Sequence, residues 1–208
     1  MEFYEVLEKR RTYRDYSDRE VSDEILNRVI NAAFKAPTND HLRQLDFIVV
    51  RGQENIAKVI APLAKNMAAF KELVAEVDDT GDHDKMAMFA DALPKQQRML
   101  MQSGLLILPF WKNCYGELLK PAEQQSLNFF ASAWCAVENM LLAATDEGLG
   151  TVFHIPVGDE VEEIKKIVGA PEGYEFTCLL TMGYPAENAF LPKQKEIDVK
   201  SRIHHNIW

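Results

Sequence analysis

The chain of 208 residues is 47% hydrophobic and 26% charged, a composition typical of an ordinary globular protein, and its length suggests a single domain. Its formal net charge of -9 argues against nucleic acid as a partner. The longest apolar run, around residues 105–111, is too short to span a membrane, and the N-terminus lacks the features of a signal peptide. We therefore expect no membrane association. Its 3 cysteines form no paired motif, which fits a reducing, cytoplasmic location.

Hydrophobic periodicity predicts a mixed α and β protein in which helices of unequal length alternate with strands. Acidic and turn-forming residues at 76–84 indicate a surface excursion, which we place at about 74–90. In chain order the expected elements are a helix at 2–10, a helix from Ser22 or Asp23 to Pro37, a buried strand at 47–50, a helix at 53–73 that Pro62 should break, a helix ending near 101, a strand at 105–108, a helix at 126–147, a strand or extended segment at 151–155, a helix at 159–168 and a strand at 176–182.

The helix at 126–147 is apolar on nearly every side. Such a helix lies either deep in a core or across a subunit interface. It therefore favours a protein that associates with a second subunit.

Two short clusters at opposite ends of the chain combine cations with hydroxyl groups. Arg10, Arg11, Thr12 and Arg14 form the first, and residues 200–202, Lys-Ser-Arg, form the second. Guanidinium, ammonium and hydroxyl groups are donors that suit a phosphate. If the fold brings the two ends together, they form one phosphate site; otherwise these cations are solvated or cap helix ends.

The order of the motifs along the chain resembles the flavin-dependent nitroreductase family. The resemblance covers nearly the whole chain except 53–90 and 112–125, and it is carried by Arg-Arg-Thr-x-Arg at 10–14, Ala-Pro-Thr at 36–38, the strand at 47–50, Arg-Met-Leu at 98–100, Glu-Asn-Met-Leu-Leu-Ala-Ala at 138–144, Gly-Leu-Gly-Thr at 148–151, Gly-Tyr-Pro at 183–185 and Lys-Ser-Arg at 200–202. It implies an α+β, nitroreductase-like fold: a central, mainly antiparallel sheet flanked by helices, in an intertwined homodimer with FMN at the subunit interface. Residues 1–208 would then form one domain whose C-terminal tail, 186–208, embraces the partner subunit.

The resemblance also assigns roles to the cations. It implies that the FMN phosphate is held by Arg10, Thr12, Lys200 and Arg202, with Arg11 in the same cluster. Arg14 would face the pyrimidine edge of the isoalloxazine or the nicotinamide donor. Lys95 and Arg98 would lie near flavin N1 and O2, where fixed positive charge stabilises the reduced anion. Without the resemblance, the sequence would predict Arg98 to be a surface residue of a helix.

A departure from the family pattern falls in the loop after Ala36. Pro37, Thr38 and Asn39 match the start of a flavin-contacting loop. Relatives usually continue toward Asn-x-Gln-Pro-Trp, whereas His41, Arg43, Gln44 and Leu45 occupy the matching positions here. His41 could still contact the flavin of the neighbouring subunit; the alternative is a solvated loop.

The segment 153–156 matches the part of the family that places backbone groups against the flavin, including a donor to N5. This assigns His154, Ile155 and Pro156 to the flavin site. Pro156 has no N–H, so the donor must be a neighbouring amide such as that of Ile155 or Val157. His154 could donate a proton to substrate or could simply be packed or solvated.

The implied function is an NAD(P)H-dependent FMN oxidoreductase with a ping-pong hydride mechanism and a small-molecule acceptor such as a nitroaromatic or a quinone. The chemistry belongs to flavin N5, so we expect no catalytic side chain, and the sequence offers no convincing metal ligand set. Either NADH or NADPH could be the donor. The alternatives are a flavin-binding protein without turnover, used for sensing or storage, and a dehalogenase or flavin-degrading branch of the same family.

Overall fold

The structure, a computed structural model, describes residues 1–41, 43–64, 83–113, 126–194 and 196–208. Its helices are α1 (Phe3–Lys9), α2 (Asp23–Ala33), α3 (Gln53–Ile60), α4 (His83–Gln102), α5 (Ser126–Asp146) and α6 (Glu160–Ile167). Its strands are β1 (Leu45–Arg51), β2 (Leu105–Lys112), β3 (Gly150–His154), β4 (Tyr174–Phe176) and β5 (Leu179–Gly183).

The strands form a sheet in the order β1-β2-β5-β3, and β4 pairs with the far end of β2. Every pairing between these strands is antiparallel. The α+β class and the mainly antiparallel sheet predicted from the sequence are therefore confirmed.

Strand β2 divides the core into two halves because its side chains alternate between the two faces of the sheet. Leu105, Ile107 and Trp111 join the half that contains α2 and α5. Leu106 and Leu108 join the opposite half, which contains residues of α3, α4 and α6. The sheet thus lies between two helical layers, and β3 forms one of its edges.

Several predicted elements need correction. The strand at 47–50 was expected to be buried, but β1 is an edge strand, so Val49 is exposed and Leu45 and Val50 are buried. The strand predicted at 176–182 is two strands, because β4 pairs with residues 110–112 of β2 and β5 pairs with Leu106 and Ile107. Most of the excursion predicted at 74–90 and the second half of the helix predicted at 53–73 lie outside the described residues. Residues 83–90 form the first part of α4, and the excursion stays a prediction.

The inner face of helix α5 is buried within one chain. Ala133, Ala136 and Met140 are buried in the core with α2 and the sheet. The burial of these three residues is explained within one chain, and the expectation of a second subunit stays a prediction. By length and composition alone, Leu127–Asp146 could also cross a membrane, with a mean hydropathy of 1.2. A count of continuous apolar residues misses this segment because polar positions such as Glu138 interrupt it, and 44% of its most apolar stretch is buried within the chain.

Candidate functional site

The arginine-rich segment runs along the edge of the sheet. Thr12 forms a parallel bridge with Thr151 of β3, and the Tyr13 amide donates to the Thr151 carbonyl at 3.0 Å. Further along, the Ser17 amide donates to the Tyr184 carbonyl at 2.8 Å. These bonds fix Thr12 and Tyr13 beside the start of β3 and Ser17 beside the residue that follows β5.

Two close contacts hold this segment in register. A Cβ atom at Gly150 would lie 2.6 Å from the Tyr13 ring, so the segment approaches β3 at a distance that only glycine permits. The hydroxyl groups of Tyr16 and Thr181 share a hydrogen bond of 2.9 Å. Burial raises the pKa of Tyr16 above its usual range, although the hydrogen bond with Thr181 opposes the shift. Tyr16 is therefore a neutral anchor and not an acid or base.

A cavity of about 370 Å³ opens between α4 and the loop that joins β3 to α6. Its walls are mainly apolar and include Met88, Phe89 and Ala92 of α4. Three residues assigned to the flavin by the sequence line this cavity: Arg14, His154 and Ile155. Pro156, the next residue of the loop, is buried.

Arg14 brings a permanent positive charge to the cavity wall. Its side chain is only 10% exposed. One guanidinium nitrogen lies 3.5 Å from the Asp91 carboxylate and another lies 3.7 Å from the Met88 sulfur. The planar guanidinium therefore retains further N–H groups that could serve a ligand.

Lys95 and Arg98 lie on the same helix as Asp91 but do not line the cavity. Arg98 donates to the Asp15 carboxylate at 2.8 Å, and Lys95 contacts both Asp15 and Asp91. Burial alone would lower the pKa of Lys95, but the hydrogen bonds and charges of the two carboxylates outweigh it, so the pKa is raised. Both cations predicted to face flavin N1 and O2 are thus paired with carboxylates that the sequence analysis did not consider.

His154 faces a buried carboxylate across the cavity wall. Its Nε2 atom lies 3.9 Å from the Glu160 carboxylate, which is beyond hydrogen-bonding distance. Nε2 is buried and has no hydrogen-bond partner among the described residues. Burial lowers the pKa of His154, and the attraction of Glu160 opposes this shift only in part.

The same carboxylate engages the loop that follows β3. The Val157 amide donates to Glu160 at 2.7 Å, and Glu160 is only 3% exposed. Of the two amides considered for flavin N5, that of Val157 is therefore already engaged within the chain.

The loop after Ala36 lies by α5, and none of its described residues lines the cavity. The Asn39 amide donates to the Ser132 hydroxyl at 2.9 Å, and the Arg43 amide donates to the Thr38 hydroxyl at 3.3 Å. Pro37 and His41 are exposed, and His41 has a φ of 56°, in the left-handed region. Its assignment to the flavin of a neighbouring subunit stays a prediction.

The two cationic clusters are not joined by direct contacts in the part of the chain that the structure describes. Arg10 ends α1 through its own amide, and the Arg11 guanidinium lies 3.5 Å from the Glu8 carbonyl. Lys200 and Arg202 are exposed on a turn, Val199–Arg202, that Asp198 caps. A phosphate held by both clusters therefore also stays a prediction.

The sequence analysis missed three carboxylates at this site: Asp15, Asp91 and Glu160. The spacing of Asp91, Lys95 and Arg98, at i, i+4 and i+7, could have indicated one charged helix face. Glu160 precedes the buried Ile164 by four residues, and this spacing places it on the inner face of α6.

Comparison with known proteins defines the family to which this fold and site belong. The model of the nitroreductase family matches residues 7–184. A protein of Methanothermobacter thermautotrophicus, provisionally named NADH dehydrogenase/NAD(P)H nitroreductase, is 30% identical over 100% of this chain and 88% of its own length. The chain therefore belongs to the nitroreductase family.

Other relatives perform a different reaction. The iodotyrosine deiodinase of Haliscomenobacter hydrossis is 23% identical over 95% of this chain and 85% of its own length. Among solved structures, oxidised iodotyrosine deiodinase bound to FMN and 3-iodo-L-tyrosine superposes with a TM-score of 0.76 and 20% identity, covering 99% of this chain and 100% of that one. This structural likeness shows the shared fold.

Proposed function

We propose that the protein is an FMN-dependent oxidoreductase that passes electrons from NAD(P)H to a nitroaromatic, a quinone or a related acceptor by a ping-pong mechanism. The observation that carries the proposal is the cavity, because both Arg14 and the loop after β3 line it. Residues from two separate family-like motifs line it together. Its position beside the arginine-rich segment supports the proposal, because the resemblance to nitroreductases implies that this segment contacts FMN.

The cavity fits a flat, largely apolar ring system. Ligand pockets typically measure about 300–1,000 Å³ and combine apolar walls with a few polar groups. A volume of about 370 Å³ lies within this range, and Arg14 and His154 supply polar groups on its wall. The isoalloxazine ring of FMN has this character: two apolar rings and a polar pyrimidine edge.

Particular residues would hold the cofactor. Arg14 would bind the pyrimidine edge, and the Ile155 amide would donate toward N5 because the Val157 amide is engaged by Glu160. Arg10, Thr12, Lys200 and Arg202 would bind the phosphate, which requires the tail to approach the first cluster. When bound, FMN supplies the hydride-accepting and hydride-donating chemistry at N5. The contribution of the chain is position, exclusion of water and the permanent charge of Arg14, which stabilises negative charge on the ring.

We also propose that the protein is a homodimer in the cytoplasm. Apolar side chains are exposed on α1 and along the tail, including Phe3, Tyr4, Ile203, Ile207 and Trp208. A tail that packs on a second subunit would cover such groups. Sedimentation of the purified protein tests the dimer, since a flavin-loaded monomer would contradict it.

A reductive dehalogenase is the second candidate function. It is favoured by the deiodinase relatives, which match along 95% of this chain. In that case 3-iodotyrosine should reoxidise the reduced protein and release iodide under anaerobic conditions. A nitroaromatic would then be the poorer acceptor.

Absorption spectroscopy tests the main proposal. The purified protein is titrated with FMN and with riboflavin, then treated anaerobically with NADH or NADPH and finally with a quinone or a nitroaromatic. We expect FMN to bind far more tightly than riboflavin, a nicotinamide to bleach the flavin within seconds, and the acceptor to restore its colour. Binding without bleaching would instead indicate a protein that holds flavin without turnover, and a chain that binds no flavin would contradict both.

A further inference from the structure

Five charged side chains form a continuous series beside the cavity, which we call the charge chain. It runs from Arg14 through Asp91, Lys95 and Asp15 to Arg98. The Arg14–Asp91 distance is 3.5 Å, the Lys95–Asp91 distance is 2.5 Å and the Arg98–Asp15 distance is 2.8 Å. Lys95 and Asp15 are also in direct contact. Cations and anions therefore alternate along the whole series.

The charge chain is buried at the cavity end and open at the other. The side chains of Arg14 and Asp91 are 10% and 8% exposed, whereas Arg98 is 51% exposed. Charges in the buried part are screened less by water and salt than the exposed guanidinium of Arg98. A change in charge within this series will therefore alter the electrostatic potential in the cavity.

Its position follows from the geometry of α4. Met88, Ala92 and Gln96 repeat every four residues and line the cavity. Asp91 and Lys95 form the neighbouring stripe of the same helix, and Arg14 belongs both to the charge chain and to the cavity wall. The series is thus the layer directly behind one wall of the cavity.

Without its two carboxylates, this layer would place three positive charges at and behind the cavity wall. Asp15 and Asp91 reduce the total to a single positive charge. Asp15 contacts two cations at once, Lys95 and Arg98. Replacing Asp15 with a neutral residue would therefore remove a negative charge that both cations share. Asp91 is less suited to such a test because its loss would leave the buried Arg14 unpaired.

We propose that Asp15 is a positioning residue that reduces the positive charge behind the cavity wall. It thereby limits how strongly the site prefers the reduced, anionic flavin over the oxidised, neutral flavin. This inference rests on the proposed function, because the ligand is taken to be FMN. Uptake of two electrons and one proton, delivered as a hydride, converts the neutral oxidised ring into an anion. Each uncompensated cation behind the wall favours the reduced form over the oxidised one. Asp15 therefore holds the midpoint potential of the bound flavin lower than Lys95 and Arg98 alone would set it.

The experiment compares the dissociation constants of oxidised and reduced FMN in the full-length protein. Asp15→Asn should raise the ratio of the oxidised to the reduced constant by about tenfold or more, because it removes one negative charge from a partly buried series. For a two-electron couple, tenfold corresponds to a potential about 30 mV higher. Asp15→Glu should restore the wild-type ratio. Arg98→Gln should move the ratio in the opposite direction, and it tests the inference from an exposed position if Asp15→Asn does not fold.

Asp23→Asn is the matched control. Asp23 makes a similar ion pair, with Arg51 at 2.9 Å, but belongs to neither the charge chain nor the cavity. An unchanged ratio in Asp15→Asn, or a shift equal to that of Asp23→Asn, would overturn the role of Asp15 while leaving the proposed function intact. Failure of the wild-type protein to bind either form of FMN would overturn the proposed function and, with it, this inference.

Discussion

Gly150 controls how the arginine-rich segment lies on the sheet, and Gly150→Ala should disturb stability and ligand binding together. The added methyl carbon would lie 2.6 Å from Cγ and 2.7 Å from Cβ of Tyr13. Carbon atoms in contact prefer about 3.5–4.0 Å, so the two groups must separate by roughly 1 Å. Rotation of the ring cannot relieve the contact with Cβ, which is bonded directly to the backbone. The segment from Thr12 to Arg14 must therefore move.

The expected cost follows from two opposing effects. Gly150 does not have a positive φ, so alanine at such a position would ordinarily stabilise a protein by about 0.4–1 kcal/mol. Overpacking ordinarily costs about 1–3 kcal/mol. The net loss should be about 1–2 kcal/mol, which lowers the urea midpoint by roughly 0.5–1 M for a slope near 2 kcal/mol/M. If Arg14 loses one charge-assisted hydrogen bond to FMN, the affinity should fall by about tenfold or more.

Urea unfolding and FMN titration of three variants test this reasoning. Tyr13→Gly removes Cβ, so combined with Gly150→Ala it should recover part of the loss in a double-mutant cycle. Tyr13→Ala keeps Cβ and serves as the control, which should recover much less. A Gly150→Ala protein with the same urea midpoint as the wild type would refute the steric argument.

The remaining predictions concern the cavity and α5. Arg14→Met should weaken FMN binding by about ten- to a hundredfold, as expected for lost charge-assisted bonds, while Asp91 keeps a partner; equal affinity in titration would contradict this. Ala133→Glu should prevent folding because Ala133 is fully buried, whereas Cys135→Glu, on the exposed face of the same helix, should give folded protein by circular dichroism. His154 has a lowered pKa in the folded chain, so the unfolded chain binds more protons below pH 6.5 and wild-type stability falls there. His154→Gln lacks this effect, so its free energy of unfolding should rise relative to wild type between pH 7 and pH 5; parallel curves would exclude it.

The sequence predicted those parts of the fold that depend on local patterns. Periodicity located the helices, and Ser22 caps α2 through a hydrogen bond from the Ile25 amide at 3.3 Å. Periodicity could not show that β1 lies at an edge, because exposure at an edge depends on which strands are neighbours. It also could not divide 176–182 into two strands, since the register against β2 shifts by one residue between the Phe176–Phe110 pair and the Leu180–Ile107 pair.

The apolar character of α5 does not by itself identify what covers the helix. A helix that is apolar on most sides needs cover, but the pattern does not say whether the cover comes from the same chain. Here α2 and the sheet bury Ala133, Ala136 and Met140. Apolar groups are exposed on α1 and along the tail, and Cys135 is exposed on the outer face of α5, so these are surfaces on which a dimer should be tested.

The candidate site shows most clearly why counting cations in a sequence does not give the charge of a site. The family resemblance assigns Arg14, Lys95 and Arg98 to the flavin, and it gives no role to Asp15, the residue next to Arg14. In the folded chain, Asp15 contacts Lys95 and Arg98 across 80 or more positions of sequence, a relation that no local pattern carries. A charge chain with one net positive charge affects the redox preference of the site differently from one with three. The carboxylates, rather than the conspicuous cations, are therefore the residues to vary when the electrochemical properties of this protein are measured.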